Sequence, residues 1–443
     1  MIWKLLRRLK WLIVPILERW YRLKDRVKLL LLALTGRSTV LEQYNLETLD
    51  GDVAVIFATY PTEMLASCHV RFLDYLTARG CNIFVTTNHP AWRKVLAPIM
   101  DRPWAFQFRR PFGRDFGCYK DATLSLYQVE EARGRPYKRV IYLNDSIVTM
   151  SNAEPQLADY LLDERYHCCG ITENYDKYQH IGSFVMAISG EVFHHPKVVK
   201  YWNRYVPLST RRHAILKGEL GFSKVLKQAG YKLHIQWTLA RMKEALLQVD
   251  FPVLHAIVTS MEPHFKGRFP TPVNVYDNRL TALLGVDPAA LAPAQGRRKK
   301  AQKLSGRQDV VGQGGYLDED AEAPLPGMVG YRERFLGLGE DVQVSIFQTS
   351  AREALVDEIM ANIFRGSQIH HGAAPLLFLG AGLMKKDVVL RMLVEPYNID
   401  KLLAESGACE GQERADAVME VLAKGHPYSL RGKARLMHDW DFV

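Results

Sequence analysis

Six cysteines are scattered through 443 residues, at Cys68, Cys81, Cys118, Cys168, Cys169 and Cys409. None forms a Cys-x-x-Cys pair or joins a histidine at metal-ligand spacing, which excludes a clustered zinc site and a disulfide framework and fits a reduced cytosolic protein. The pairs His194-His195 and His370-His371 also lack a carboxylate or thiol at ligand spacing. There is no phosphate-binding P-loop, no Ser-His-Asp signature and no internal repeat. Long apolar runs are missing too. The longest, Trp11–Leu17 and Leu29–Leu34, fall far short of the roughly 18 uncharged residues of a spanning helix. Charge resumes at Glu18 with no small-residue cleavage site after it, which argues against a signal peptide.

The body of the chain has little net charge. Residues 1–37 hold ten Lys/Arg and two Asp/Glu, so most of the overall charge of +10 lies there. A nucleic-acid binder spreads its positive stripe over a folded face, so nucleic acid is not expected as a partner. In the basic segment Leu5, Leu9, Leu12, Ile16, Trp20, Leu23 and Val27 recur every three or four residues, as one face of a helix does. Basic side chains lie between them, and Pro15 kinks or divides the helix. This is the pattern of a helix lying in an anionic membrane interface; packing on the protein's own body or a partner would use the same face. The expected location is cytoplasmic, peripheral at the inner face of the cytoplasmic membrane.

From Asp52 onward strand and helix signals alternate. Strands are expected at 53–59, 82–87, 104–109, 139–143, 167–171, 183–189 and 232–236. Helices are expected at 63–79, 91–100, 116–133, 154–162 and 214–229. The alternation predicts an α/β fold with a mostly parallel sheet covered on both faces. Ligands of such sheets bind beyond the carboxyl ends of the strands. Those ends are Thr59-Tyr60, Thr87-Asn88, the Gly113–Gly117 turn and Asn144-Asp145-Ser146. Residues 287–327, rich in Ala, Pro, Gly and Gln, read as a linker or mobile insertion. Helical periodicity returns over 328–443, at 349–364, 386–404 and 411–424. The organisation expected is therefore a basic helix at 1–37, an α/β domain at 50–286, the linker and a mostly helical C-terminal region.

The turn Gly113-Arg114-Asp115-Phe116-Gly117 has glycine at both ends, so backbone approaches a ligand closely there. The helix after it offers N–H groups to a diphosphate. Arg114 is placed to pair with phosphate and Asp115 to accept from a ribose or sugar hydroxyl; the same residues also make a plain turn with Asp115 as N-cap. Asp145 is the candidate ligand of a divalent cation, Mn2+ or Mg2+, beside a leaving diphosphate, or else a turn residue. Glu219 is the candidate general base, or an acid suited to a helix start. His180 and Ser183 precede an apolar strand and are placed to contact donor or acceptor, although a lone histidine is more often a core residue.

The segments VAVIFATY (53–60), FGRDFGCYKDA (112–122), VIYLNDSI (140–147), CGITEN (169–174), HIGSFVMAIS (180–189) and GELGFSKVLKQAGYK (218–232) follow in an order and spacing that resembles the rhamnan synthesis F family of bacterial polysaccharide glycosyltransferases. A weaker echo lies at Leu383–Leu390, around a lysine. The resemblance implies a GT-A-like nucleotide-binding sheet with flanking helices. It implies that Asp115 helps hold the nucleotide sugar, that Asp145 sits near the donor diphosphate, and that Glu219 is the base. Together with the strand ends and motifs above, the donor site expected is Thr59, Tyr60, Asn88, Gly113, Arg114, Asp115, Gly117, Lys120, Asn144, Asp145, Ser146, His180 and Ser183. The resemblance further implies transfer of a sugar, a deoxyhexose such as rhamnose being suited, from a nucleotide sugar to a lipid-linked or polysaccharide acceptor in O antigen, capsule or rhamnan synthesis. The chain has Thr59-Tyr60 where the family commonly has His-Tyr, and Gly182-Ser183 where it has Gln-Ser. The alternatives are another nucleotide-sugar enzyme, or a non-catalytic scaffold of a polysaccharide assembly complex.

Overall fold

The computed structural model describes residues 10–61, 64–175, 177–261 and, apart from 354, 358 and 365, residues 352–439. The linker expected at 287–327 lies outside them. The chain forms two units, one of Met1–Leu239 with Ser367–Val443 and the other of Ala240–Gly366. The carboxyl-terminal stretch thus belongs to the sheet-bearing unit.

That unit is built on a mixed sheet in the order β1-β4-β3-β2-β5-β9-β7-β10. Its strands are β1 (Val40–Tyr44), β2 (Val53–Thr59), β3 (Cys81–Thr87), β4 (Ala105–Arg109), β5 (Arg139–Asn144), β7 (Cys168–Asn174), β9 (Val185–Ser189) and β10 (His234–Trp237). The central strands β4, β3, β2 and β5 are parallel in register, Thr59 beside Thr87 and Ala58 beside Asn144. β2, β3 and β5 read as largely apolar runs because both their faces are covered, while β4 buries Gln107 and Arg109 as well. On β2, Ala54, Ile56 and Ala58 join the cluster that holds Phe116 and Tyr119 of the long helix Arg114–Arg133, while Phe57 meets His69 of the helix Ser67–Ala78 from the other side. The expectation of a mostly parallel sheet is met in its centre and again at its edge, where β10 runs parallel to β7. β9 runs antiparallel between β5 and β7, and β1 antiparallel to β4.

We number the principal helices α1 (Lys10–Leu34), α2 (Ser67–Ala78), α3 (Arg114–Arg133), α4 (Glu154–Leu162), α5 (Pro196–Arg204) and α6 (Leu220–Gln228). α1 is one helix despite Pro15 inside it. The short strand β8 (His180–Ile181) pairs with β7. β6 (Ile147–Thr149) pairs with β11 (Leu383–Lys385) in a separate two-stranded ribbon, which carries the carboxyl-terminal stretch to the end of β5. The helix expected over 386–404 is instead a single turn followed by a new helix, Ile399–Glu405. Met392 adopts φ 59°, and the N–H groups of Met392 and Leu393 return to Val389 and Val388. This is the helix-ending hydrogen-bond pattern of a left-handed cap, with Pro396 soon after to prevent resumption.

In the second unit the described helices Leu239–Gln248, whose first residue belongs to the sheet unit, and Phe251–Ser260 bury Met242, Leu246, Leu254 and Ile257 at helical spacing. Helical residues near 352–363 bury Leu355, Ile359 and Ile363. Lys243 and Asp357 pair at 3.1 Å. No helix among the described residues is long and apolar enough to cross a membrane.

Candidate active site

Because β2, β3, β4 and β5 are parallel neighbours, their carboxyl ends fall side by side. The turn after β4 is shaped from below by Arg109. Its guanidinium is fully buried, pairs with Asp121 at 2.9 Å and donates to the Phe112 carbonyl. A Cβ on Gly117 would come within 2.7 Å of Arg109 Nη1, so glycine is required where α3 crosses that side chain. Gly113 has φ 89°, and Arg114 follows at φ 53°, a left-handed conformation that costs a non-glycine residue roughly 1–2 kcal/mol. Such strain persists only where surrounding structure holds it, and it gathers at ligand sites. The Arg114 side chain is half-buried and forms no ion pair among the described residues.

Asp115 lies in the first turn of α3, where its carboxylate accepts from the N–H of Phe116 at 2.9 Å and from Asn144 Nδ2 at 3.3 Å. Burial, followed by the negative charge of Glu219, raises its pKa above the usual carboxylate range. Asn144 Oδ1 in turn accepts from the Ser146 N–H and hydroxyl, which fixes the Asn-Asp-Ser turn. Asp145 points away from this pair: its Oδ2 accepts from Thr59 Oγ1 at 2.9 Å and from the Tyr60 N–H at 2.7 Å. The exposed Tyr60 ring lies 4.7 Å from that of His89, just beyond β3. Burial depresses the His89 pKa, which keeps that ring neutral.

Glu219 ends a π-helical turn, Ala214–Glu219, that leads into α6. Widened turns of this kind frequently mark functional sites. Gly218 allows it: a Cβ there would sit 2.5 Å from the Phe116 ring. Oε1 of Glu219 accepts the Ser183 N–H at 3.2 Å and the Ser183 hydroxyl at 2.5 Å. Among the described residues no donor engages Oε2. Tyr119, Tyr142, Trp202 and Phe222 pack against one another, with Tyr119 edge-on to Tyr142 and Tyr142 stacked on Trp202, and the Tyr119 hydroxyl donates to the Ser183 carbonyl at 3.1 Å.

The wall is completed from far along the chain. β11 delivers Lys385, whose Nζ donates to Ser146 Oγ at 2.6 Å and lies 4.6 Å from the Phe184 ring centre. Burial lowers its pKa, opposed by the charges of Asp387, Glu219 and Asp115. Asp387 is held well below the carboxylate range by its hydrogen bond and charge contact with His370, with Arg391 and Lys385 adding to them. Lys385 was visible in the sequence only within the Leu383–Leu390 echo, because 239 residues separate it from Ser146.

The remaining sequence candidates lie as follows. Asn88 is buried and donates to the Phe112 carbonyl at 3.4 Å, against the underside of the turn. Lys120 donates to the carbonyls of Asn203 and Tyr205, so it ties α3 to the end of α5. His180 is fully buried, with Nδ1 3.0 Å from the Tyr178 carbonyl. Thr59, Tyr60, Asn144, Asp145 and Ser146 line the ends of β2 and β5; Gly113, Arg114, Asp115, Gly117, Ser183 and Glu219 stand around α3.

The set does not fit a protein-built divalent-cation cage. The described residues contain no group of three His, Cys, Asp or Glu placed to hold an ion. One oxygen of Asp145 already serves two donors, and an ammonium group stands on the neighbouring Ser146.

No protein-family model matches the chain. It is similar to an uncharacterized protein, y4gN, of Sinorhizobium fredii (strain NBRC 101917 / NGR234), at 22% identity over 222 residues. The match covers 47% of this chain and 56% of that relative, so the chain spans little more than half of the relative's length. Among solved structures it is similar to a glycosyltransferase involved in the glycosylation of the major capsid of PBCV-1. There the identity is 10%, with 41% of this chain and 80% of that chain covered, at a TM-score of 0.25. A likeness at that level transfers neither fold nor activity.

Proposed function

We propose that the chain is a glycosyltransferase that moves a sugar from a nucleotide-sugar donor to an acceptor hydroxyl. The observation that carries this reading is the meeting of Glu219, Asp115 and Lys385 beyond the carboxyl ends of parallel strands. A base, a hydrogen-bonding acid and a cation lie within electrostatic reach of one another there. In the proposed reaction the acceptor oxygen attacks the anomeric carbon. The bond from that carbon to the phosphate oxygen breaks, and a nucleoside diphosphate leaves with the bonding pair. Oε2 of Glu219 takes the acceptor proton, its partner oxygen being fixed by Ser183. Lys385, Arg114 and the N-terminal amides of α3 offset the charge that develops on the diphosphate, as preorganised donors do. The exposed Tyr60 ring offers a stacking face for the nucleobase. A divalent cation bound through the substrate's own phosphates would add Lewis-acid help; Asp145 is the carboxylate nearest to serving it.

The resemblance of the motif series supports a finer version: a deoxyhexose donor, and a lipid-linked or polysaccharide acceptor belonging to a surface polysaccharide. The test is a panel of nucleotide sugars offered to the full chain, with and without Mn2+, while nucleoside diphosphate release is followed. One donor should be turned over, and Glu219→Gln should abolish its turnover while leaving its binding intact. Absence of binding and of release across the panel would refute the reading.

A further inference from the structure

Helix α1 carries apolar side chains on two sides. The side toward the body is mixed, with half-buried Val14, Leu29 and Leu32 beside two acids. Asp25, 3% exposed, accepts from the Ser209 N–H at 2.7 Å, and Glu18 lies 3.5 Å from Arg212. Its apolar stripe faces outward: Leu12, Ile16, Trp20, Leu23, Val27 and Leu34 are between 46% and 74% exposed. At about 100° per residue these six fall within an arc of roughly 80°, on the side opposite Asp25, and extend along about 33 Å of helix. Arg19, Lys24 and Arg26 are also exposed and flank the stripe on both sides. A contiguous apolar strip of this size marks an interaction surface. Its occupant is indicated by the charge, because most of the molecule's net positive charge is concentrated in residues 1–37. Cationic flanks with an exposed tryptophan suit a bilayer that carries anionic headgroups.

We propose that α1 lies in the interfacial plane of an anionic lipid bilayer, and that Asp25 fastens the crevice to it. Ser209, which donates its N–H to Asp25, also accepts the Gly113 N–H on its hydroxyl at 3.2 Å. One short loop therefore joins the lipid-facing helix to the turn that opens α3. The turn is held at a set height above the bilayer, where a lipid-borne substrate would present its head. The lipid contact itself stands apart from the transfer reading.

The experiment is flotation of the full chain with phosphatidylcholine vesicles, either pure or containing one-third phosphatidylglycerol. The chain should float with the anionic vesicles, stay down with the neutral ones, and be released by salt. The double variant Ile16→Asp/Leu23→Asp should stay down with both. Arg19→Gln/Lys24→Gln/Arg26→Gln should weaken anionic binding on the order of 10²-fold, at about 1 kcal/mol per charge. These side chains are exposed, so the fold does not depend on them. The proposal is overturned if the unaltered chain stays down with every vesicle, if Ile16→Asp/Leu23→Asp floats like it, or if the stripe instead pairs two copies that ignore lipid.

Discussion

Oε1 of Glu219 receives both the N–H and the hydroxyl of Ser183, while Oε2 has no donor among the described residues. If Oε2 takes the acceptor proton, Glu219→Gln should lower kcat by roughly 10²–10⁴-fold, with the donor Kd nearly unchanged by calorimetry. Ser183→Ala keeps the base but frees its orientation. It should lower kcat by a smaller factor and leave the donor KM in place. A full-speed Glu219→Gln enzyme would remove the base assignment.

Lys385 is predicted to act through charge on the leaving group. Lys385→Met should cut turnover by about two orders of magnitude, the scale of losing one charge-stabilising group, and Lys385→Arg should restore part of it. Since burial lowers the lysine's pKa, the rate should fall on the alkaline side at a pH below the ordinary lysine range. A pH–rate profile with no alkaline limb, or an unaffected Met variant, would count against this role.

Arg114 holds a left-handed backbone conformation, and in the proposed function its side chain meets the donor phosphate. Arg114→Gly should relieve the left-handed conformation and raise the urea midpoint, by up to about 1 kcal/mol of stability. At the same time it should raise the donor KM at least several-fold. A variant both less stable and equally able to bind donor would contradict both halves of this prediction.

His69 gives stability a pH dependence of known sign. Its Nε2–H donates to the Ile147 carbonyl at 2.7 Å, and burial holds its pKa down to about 3. Below the ordinary imidazole value of about 6.5, the unfolded chain takes up a proton that the folded chain refuses. Stability should then fall as pH drops from there toward about 3, by at most about 1.4 kcal/mol per pH unit. His69→Gln, which keeps an amide donor, should flatten that part of the melting-temperature curve relative to the unaltered protein.

The centre of the sheet was legible because β2, β3 and β5 are continuous apolar runs closed by polar or glycine residues. The ends of α4 were read to the residue from Pro155 near its start and the apolar period after it. The short strands β1, β6, β8 and β11 escaped, since two to five residues carry no period that separates them from loop. β9 was found as a strand, but nothing in its own side chains tells that it runs against β5. At the site, Asp115 and Glu219 were reachable from their glycine neighbours. Asp145 was named too, but the direction of its carboxylate was not readable, because Thr59 and the Tyr60 amide set it from 86 and 85 residues upstream. The outward face of α1 was readable as amphipathic, yet which face it would turn to the body depended on Ser209 and Arg212.

β11 adds its lysine to the strand ends from 239 residues beyond Ser146. During synthesis the sheet centre therefore precedes the cation. If Lys385 serves the proposed transfer, a chain cut short before that residue would carry the strand-end carboxylates without their ammonium partner, and would be silent.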